Sequence, residues 1–520
     1  MEDHVIVIDA GTQSIRAVLI DLKGNIVSIE RTEVDPYFSL EPGFAEQDPN
    51  YLWDVLAGTC KQLVRNLPVP IESVKGMSIT TQRGTLVNLD KNGKPLRPAI
   101  IWLDQRKAKA NEWPKGIVKV GLKMVNMYES LVHAIKDGEC NWIRQNQPEI
   151  WDKTHKFVYL SGFFIHRLTD RFVDSIGSNV GYMPFNYKKQ EWGKPGELNT
   201  KLFPIDREKL VDLVKPSELL GHITAQAAKE TGLPEGLPVI ASAADKACEV
   251  LGSGCISPEI ACLSYGTTAT IETVNPKYVE VIKFFPSYPS AIPNHYNTEV
   301  MIYRGYWMIN WFKKEFGHKE VELAKKLGKS AEELFDEMIS HIPPGSMGLT
   351  LQPYWSPGVK IPGVEAKGAI IGFGDVHTKA HLYRSIIEGL TYALKEGALR
   401  TQKRNGVNIE KLRVSGGGSQ SKNALQMTAD IFDMKVEKPH TYETSALGAA
   451  INCAVGLGLY KNFSEAINSM CRVDEIYEPI KANRDIYKEL YSKVYRKMYA
   501  RLKPLYQDIR DITNYPKKIT

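Results

Sequence analysis

One short run, Asp9-Ala10-Gly11-Thr12-Gln13-Ser14-Ile15-Arg16, holds residue types that together could receive a nucleoside triphosphate. A glycine such as Gly11 lets backbone approach an oxygen-rich ligand, hydroxyls such as those of Thr12 and Ser14 donate to phosphate, Arg16 brings fixed positive charge, and Asp9 can hold Mg²⁺ through water. Gln13 completes the turn. The same residues also suit an ordinary hairpin with a polar turn, and taken alone the run does not separate the two readings.

Asp245 follows the small residues Ser242-Ala243-Ala244 and precedes Lys246. A carboxylate there, at a strand end that admits a ligand closely, can take the proton of a hydroxyl attacking phosphorus. It can equally cap a helix, and locally the cap is the stronger reading. A third run, Arg413-Val414-Ser415-Gly416-Gly417-Gly418-Ser419-Gln420-Ser421-Lys422-Asn423, joins a strand to a helix; its glycines offer bare backbone to a flat ligand or a phosphate, with a flexible loop as the alternative. The cluster Gln82-Arg83-Gly84 and the segment Trp102-Leu103-Asp104 supply a two-hydroxyl clamp, a stacking face and a hydroxyl acceptor, or else salt bridges and packing. Leu327-Gly328-Lys329-Ser330 ends like a Walker A loop, but Leu323 stands where its leading glycine belongs, so it reads as a helix terminus followed by an N-cap.

The elements around these runs are legible. Apolar runs at 5–9, 15–21 and from 26 onward, separated by Gly-containing turns, predict three opening strands, and a second meander follows from 76 to 102. The pattern of 8–15 returns at 263–270, Leu263-Ser264-Tyr265-Gly266-Thr267-Thr268-Ala269-Thr270, which suggests an internal duplication with one hydroxyl-lined turn per half. Helices are predicted at 321–327, 331–341, 381–404, 423–433, 445–455 and 483–499, and the last residues, 516–520, read as surface.

At 520 residues the chain exceeds one hydrophobic core, so two domains with a cleft between them are expected, the boundary falling near 246–258. Its 66 Lys and Arg against 60 Asp and Glu are scattered, which points away from nucleic acid, and no segment has the apolar length of a membrane span. Seven cysteines without a CxxC pair argue against disulfides and zinc, and the N-terminal run lacks the pattern of a signal peptide. A cytoplasmic protein is the expectation.

Taken in order, the motifs resemble the FGGY family of carbohydrate kinases, which includes glycerol, xylulose, ribulose, gluconate, erythritol and autoinducer-2 kinases. Asp9, Gly11, Thr12, Ser14 and Arg16 fit the family's DxGTxSxR loop, and Tyr265-Gly266-Thr267-Thr268 its second loop. Gly416, Gly417, Gly418, Ser419, Gln426, Ala429 and Asp430 fit its nucleotide motif, and 368–373 and 381–389 its downstream signature. The resemblance implies an α/β fold of two actin-like (ribonuclease H-like) ATPase domains, each on a mixed five-stranded sheet. It divides the chain into 1–250 for sugar and base, 251–485 for nucleotide and a helical tail at 486–520.

By that resemblance Asp245 is the catalytic base. Gly11, Thr12, Gln13, Ser14, Arg16, Gly266 and Thr267 receive the phosphates of ATP, and Gly417, Gly418, Ser419 and Asn423 line its adenosine. Asp9 and Asp245 serve Mg²⁺, and Gln82, Arg83, Trp102, Asp104, Asp245 and Lys246 bind a small sugar, ketose or polyol. A homodimer is one option for assembly. Two departures bear on substrate: Gly84 replaces the glutamate of the glycerol-kinase QRE, and Lys246 replaces glutamine after the base. In addition, Glu139 stands where the upstream signature has lysine, which reads as a loosened structural position. Within the family, glycerol, erythritol and autoinducer-2 kinases are the alternatives; outside it, a filament or heat-shock ATPase shares the fold without phosphorylating metabolites.

Overall fold

The computed structural model of the chain describes residues 2–35, 37–110, 114, 116–124, 127–356 and 362–515. The expectation for 516–520 therefore lies outside the described residues. Two compact units emerge: Met1–Ile256, Asn275–Asn297 and Glu443–Arg472 form the first, and Ser257–Val274, Thr298–Tyr442 and Val473–Thr520 the second.

The first unit is built on β1 (His4–Ala10), β2 (Ser14–Asp21), β3 (Ile26–Glu33), β4 (Val74–Thr81), β5 (Leu219–His222) and β6 (Pro238–Ile240), in the order β5-β6-β4-β1-β2-β3. Every residue of β1 is buried, because apolar material covers both faces of the sheet. On one face lie Ile6, Ile8 and Leu19 with helix Pro49–Arg65, which Asp48 caps by accepting the N–H of Asn50. On the other, Val5, Val7 and Val18 meet helices Asp245–Gly252 and Thr444–Gly456.

The sequence reading runs 251–485 as one stretch, whereas helix Thr444–Gly456 packs into the first unit. The reason is steric: a Cβ on Gly448 would meet the Cys248 carbonyl oxygen at 1.9 Å, and one on Gly252 the Thr444 carbonyl oxygen at 1.9 Å. Paired glycines let the two helix backbones touch.

A second sheet draws on β7 (Ile260–Tyr265), β8 (Ala269–Asn275), β9 (Tyr288–Pro289), β10 (Tyr296–Ile302), β11 (Lys411–Ser415), β12 (Val436–Pro439) and β13 (Val473–Tyr477), in the order β9-β10-β8-β7-β11-β12-β13. The duplication read from sequence returns as topology: β1 is antiparallel to β2 and parallel to β4, while β7 is antiparallel to β8 and parallel to β11. With six and seven strands the sheets exceed the expected five, since short strands pair on their free edges and satisfy backbone groups there.

The predicted helices are present as His318–Leu327, Ala331–Ile339, Lys379–Asn405, Lys422–Phe432 and Thr444–Gly456, and the last as Lys481–Leu490 and Arg496–Thr513 around a π turn at Tyr491–Tyr495. The second meander does not stay in one sheet: Leu86–Leu89 and Ala99–Ile100 join Glu46–Gln47 and Lys156–Tyr159 in a separate four-stranded sheet. All seven cysteines are free, and no described helix is long and apolar enough to cross a membrane.

Candidate active site

Asp245 is the first residue of its helix, and the N-cap is Ala244, which has no side chain to serve as a cap. The Asp245 carboxylate instead accepts the N–H of Lys246 at 2.8 Å, at the positive end of the helix. Buried hydroxyls fasten the loop before it to the sheet. Ser78 donates to the Ile240 carbonyl at 2.6 Å, Thr80 to that of Ala243 at 2.8 Å, Ser242 to that of Ile79, and Ser175 to that of Ser242. Burial pushes the Asp245 carboxyl above its usual range, against the pull of Arg83 and Lys246. Lys246 spends its ammonium on Glu249 at 2.7 Å, so its charge stands near Asp245 while its hydrogen bond goes elsewhere.

Asp9 is paired in register with Arg16 on β2 and Thr80 on β4. Its carboxyl is pushed up to about 7, chiefly by burial; Arg16 opposes the shift, and Glu443, Asp245 and Glu249 add to it. The Arg16 guanidinium bridges Asp9 at 3.2 Å and Glu443 at 2.7 Å. It therefore acts here as a clamp on two carboxylates, with its charge held beside Asp9, where the sequence reading aimed it at phosphate.

The turn Gly11–Gln13 is tied to the substrate cluster. Thr12 donates to the Gln82 amide oxygen at 2.6 Å and receives the Trp102 indole N–H at 3.0 Å, and Gln82 donates to Gln47 at 2.8 Å. Trp102 is 45% exposed, so its face is open to a ligand instead of being spent in the core. Gln13 is exposed, and Ser14 is buried at the start of β2.

Gly84 has φ 61°, and a Cβ there would press on that of Trp102 at 3.4 Å, so this backbone disfavours a larger residue. Asp104 is heavily engaged: the Ala45 N–H donates to it at 2.6 Å, the Arg106 backbone N–H and Nε–H each at 2.8 Å, and Arg106 Nη2 adds an ion pair at 2.8 Å. It braces the loop that carries Trp102, where the sequence reading has it accept a substrate hydroxyl. Arg83 lies over the Tyr288 ring at 5.7 Å.

In the second unit, the carbonyls of Gly266 and Thr267 accept N–H groups of Tyr306 and Gly305, each at 3.0 Å, which fixes the Gly-Thr turn. Gly416 and Gly418 are demanded by packing: Gly416 has φ 81° and lies against Tyr265 backbone, and a Cβ on Gly418 would strike the Tyr306 ring at 2.4 Å. Gly417 is different, because a Cβ there meets nothing within 4 Å. Ser419 donates to the Gly416 carbonyl at 2.7 Å. Asn423 gives its amide N–H to the Asp336 carbonyl at 2.9 Å, which anchors the loop after the glycines.

Gln47, Glu249, Glu443 and Tyr288 escaped the sequence reading. Only Gln47 carried a local signal, as neighbour of the Asp48-Pro49 helix start.

Residues 4–252 match the model of the FGGY family of carbohydrate kinases, N-terminal domain, and residues 261–457 that of its C-terminal domain. Xylulose kinase of Staphylococcus epidermidis is 30% identical over 99% of this chain and 100% of its own length. Glycerol kinase 1 of Saccharolobus solfataricus is 28% identical over 91% and 92%. Among solved structures, ligand-bound xylulose kinase from Lactobacillus acidophilus has a TM-score of 0.79 at 22% identity, covering 99% of both chains, a likeness of fold.

Proposed function

This chain belongs to the FGGY family of carbohydrate kinases, and we propose that it transfers the γ-phosphoryl group of ATP to a primary hydroxyl of a small sugar, ketose or polyol. The observation that carries this reading is the setting of Asp245: a proton affinity raised by burial, charge from Arg83 and Lys246 that opposes the rise, and hydroxyl contacts that fix the loop before it. A carboxylate so placed accepts the hydroxyl proton as its oxygen attacks phosphorus. Trp102 offers a face to the acceptor's carbon chain, and Arg83 holds its hydroxyls. Gly11, Thr12 and Ser14 in the first unit, and Gly266 and Thr267 in the second, receive phosphate oxygens. Gly417 and its neighbours take the adenosine.

A divalent cation fits beside Asp9. Burial above all pushes the Asp9 carboxyl up to about 7, the carboxylates of Glu443, Asp245 and Glu249 add to the rise, and Arg16 opposes it, so added positive charge would be welcome there. Mg²⁺ is commonly held by one or two carboxylates together with phosphates. When bound, the ion would neutralise phosphate charge; Asp9, with Asp245, would hold it. We assign the reaction to the cytoplasm, a reading that the seven free cysteines support.

The test is ADP release with ATP and Mg²⁺ across glycerol, erythritol, xylulose, ribulose and gluconate. Stimulation by at least one acceptor is expected, and release that no acceptor stimulates sets the reading aside. Gly11→Ala separates fold from ligand. Gly11 lies outside the left-handed region, and its new Cβ would meet only Ser14 oxygen at 3.6 Å. The variant is expected to gain about 0.5 kcal/mol of stability and to lose about tenfold or more in KM for ATP, because the methyl occupies phosphate space. Calorimetry and initial rates measure the two.

A further inference from the structure

Glu139 opens helix Glu139–Asn146 and is held there from both sides: Asn141 donates to the carbonyls of Ile135 and Leu202 at 3.0 and 2.9 Å, and Gly138 admits the Phe203 ring, 3.0 Å from where a Cβ would stand. One carboxylate oxygen, Oε2, is buried without a hydrogen-bond partner, and so is the Tyr159 hydroxyl. The two groups belong to one neighbourhood. Phe203, which Gly138 packs against, lies 5.7 Å from the Tyr182 ring, the Tyr182 hydroxyl donates to Asp137 at 3.1 Å, and Tyr159 shares one core cluster with Cys140, the residue after Glu139. Gly84 borders the same place, since a Cβ on Gly181 would lie 3.1 Å from the Tyr159 ring and 3.6 Å from Gly84 Cα.

An unpartnered buried carboxyl is costly, and a native fold keeps one where a ligand completes it. Position 84 carries no carboxylate and Asp104 is engaged by Ala45 and Arg106, whereas Glu139 keeps a buried oxygen without a partner beside the substrate cluster. We propose that Glu139, together with the Tyr159 hydroxyl, binds a hydroxyl of the phosphoryl acceptor and makes this enzyme select neutral ketoses and polyols over aldonates. This rests on the kinase reading above. The preference follows from the carboxylates gathered there: Asp137, which accepts the Tyr182 hydroxyl at 3.1 Å, and Asp104 add to burial in pushing the Glu139 carboxyl up to about 8, with Lys107 opposing. Lys107 is itself paired with Asp137 at 2.7 Å. A field that holds a proton on Glu139 disfavours a second carboxylate brought in by the substrate.

The experiment compares kcat and KM of wild type, Glu139→Met, Glu139→Gln and Tyr159→Phe on ribulose, xylulose, erythritol, glycerol and gluconate. Wild type is expected to favour its best neutral acceptor over gluconate by about 100-fold or more. Glu139→Met should raise KM for that acceptor ~10- to 100-fold with kcat little changed, and Glu139→Gln, which keeps an acceptor oxygen, should recover most of the loss. Tyr159→Phe, which loses only a hydroxyl, should raise the same KM about fivefold or more and serves if the Met variant does not fold. Unchanged KM in the Glu139 and Tyr159 variants, or gluconate as the best substrate, overturns the proposal while the kinase reading stands. A wild type that phosphorylates no acceptor overturns both.

Discussion

Asp245→Asn is expected to lower kcat for acceptor-dependent ADP release by about 10²- to 10⁴-fold, the range a positioned general base contributes. KM for ATP should change far less than kcat, since other residues receive the phosphates and adenosine and Asp245 only shares the ion with Asp9. The fold should hold as well. Asparagine keeps a side-chain oxygen for the Lys246 N–H that Asp245 now accepts, and the helix cap is Ala244. Removing a carboxyl that burial already penalises costs no stability, because the charged form was the expensive one. A purely structural Asp245 predicts the reverse, with lower thermal stability and near-normal turnover. Stopped-flow measurement of the first turnover, with calorimetry on the same samples, separates the two outcomes.

What the sequence disclosed follows from how local each signal is. The strands of the first sheet are continuous apolar runs broken by Gly turns, and the Gly-Thr turns at 11–12 and 266–267 repeat with the same neighbours, so strands and duplication could be read directly. The candidate base could be found only by position, because its environment is assembled from distant segments. Ser78, Thr80, Ser175 and Ser242 fasten the loop before it, yet they look like ordinary strand hydroxyls. Glu443 reaches Arg16 from 427 positions away, which no periodicity reveals. The same distance effect returned helix Thr444–Gly456 to the first unit, where its small residues, which read in sequence only as an apolar helix, allow contact with the helix that Asp245 opens. Glu139 shows the limit from the other side: as a departure from a motif it read as loosened, and only its unpartnered oxygen gives it a use.

Asp9→Asn has the second large effect, and its sign depends on whether a cation is present. In the unfolded chain Asp9 releases its proton near 3.8; in the folded chain, burial and the neighbouring carboxylates hold it to about 7. Between those values the native state binds a proton that the unfolded state has lost. The associated stability is fully present below about pH 3.8 and is lost as pH rises through about 7. Asparagine does not titrate. Without divalent cation, the stability of Asp9→Asn relative to wild type should therefore rise by about 2–3 kcal/mol from pH 5 to pH 8. Adding Mg²⁺ and a nonhydrolysable ATP analogue at pH 8 should raise the wild-type melting temperature substantially, because binding to the native state alone stabilises it. The same addition should move the variant much less, and its turnover should fall by about 10²-fold or more with the loss of the carboxylate that holds the ion. A variant that keeps the wild-type response to Mg²⁺ would show that Asp9 serves only as the partner of Arg16, and the ion would then have to be sought at Asp245, Glu249 or Glu443.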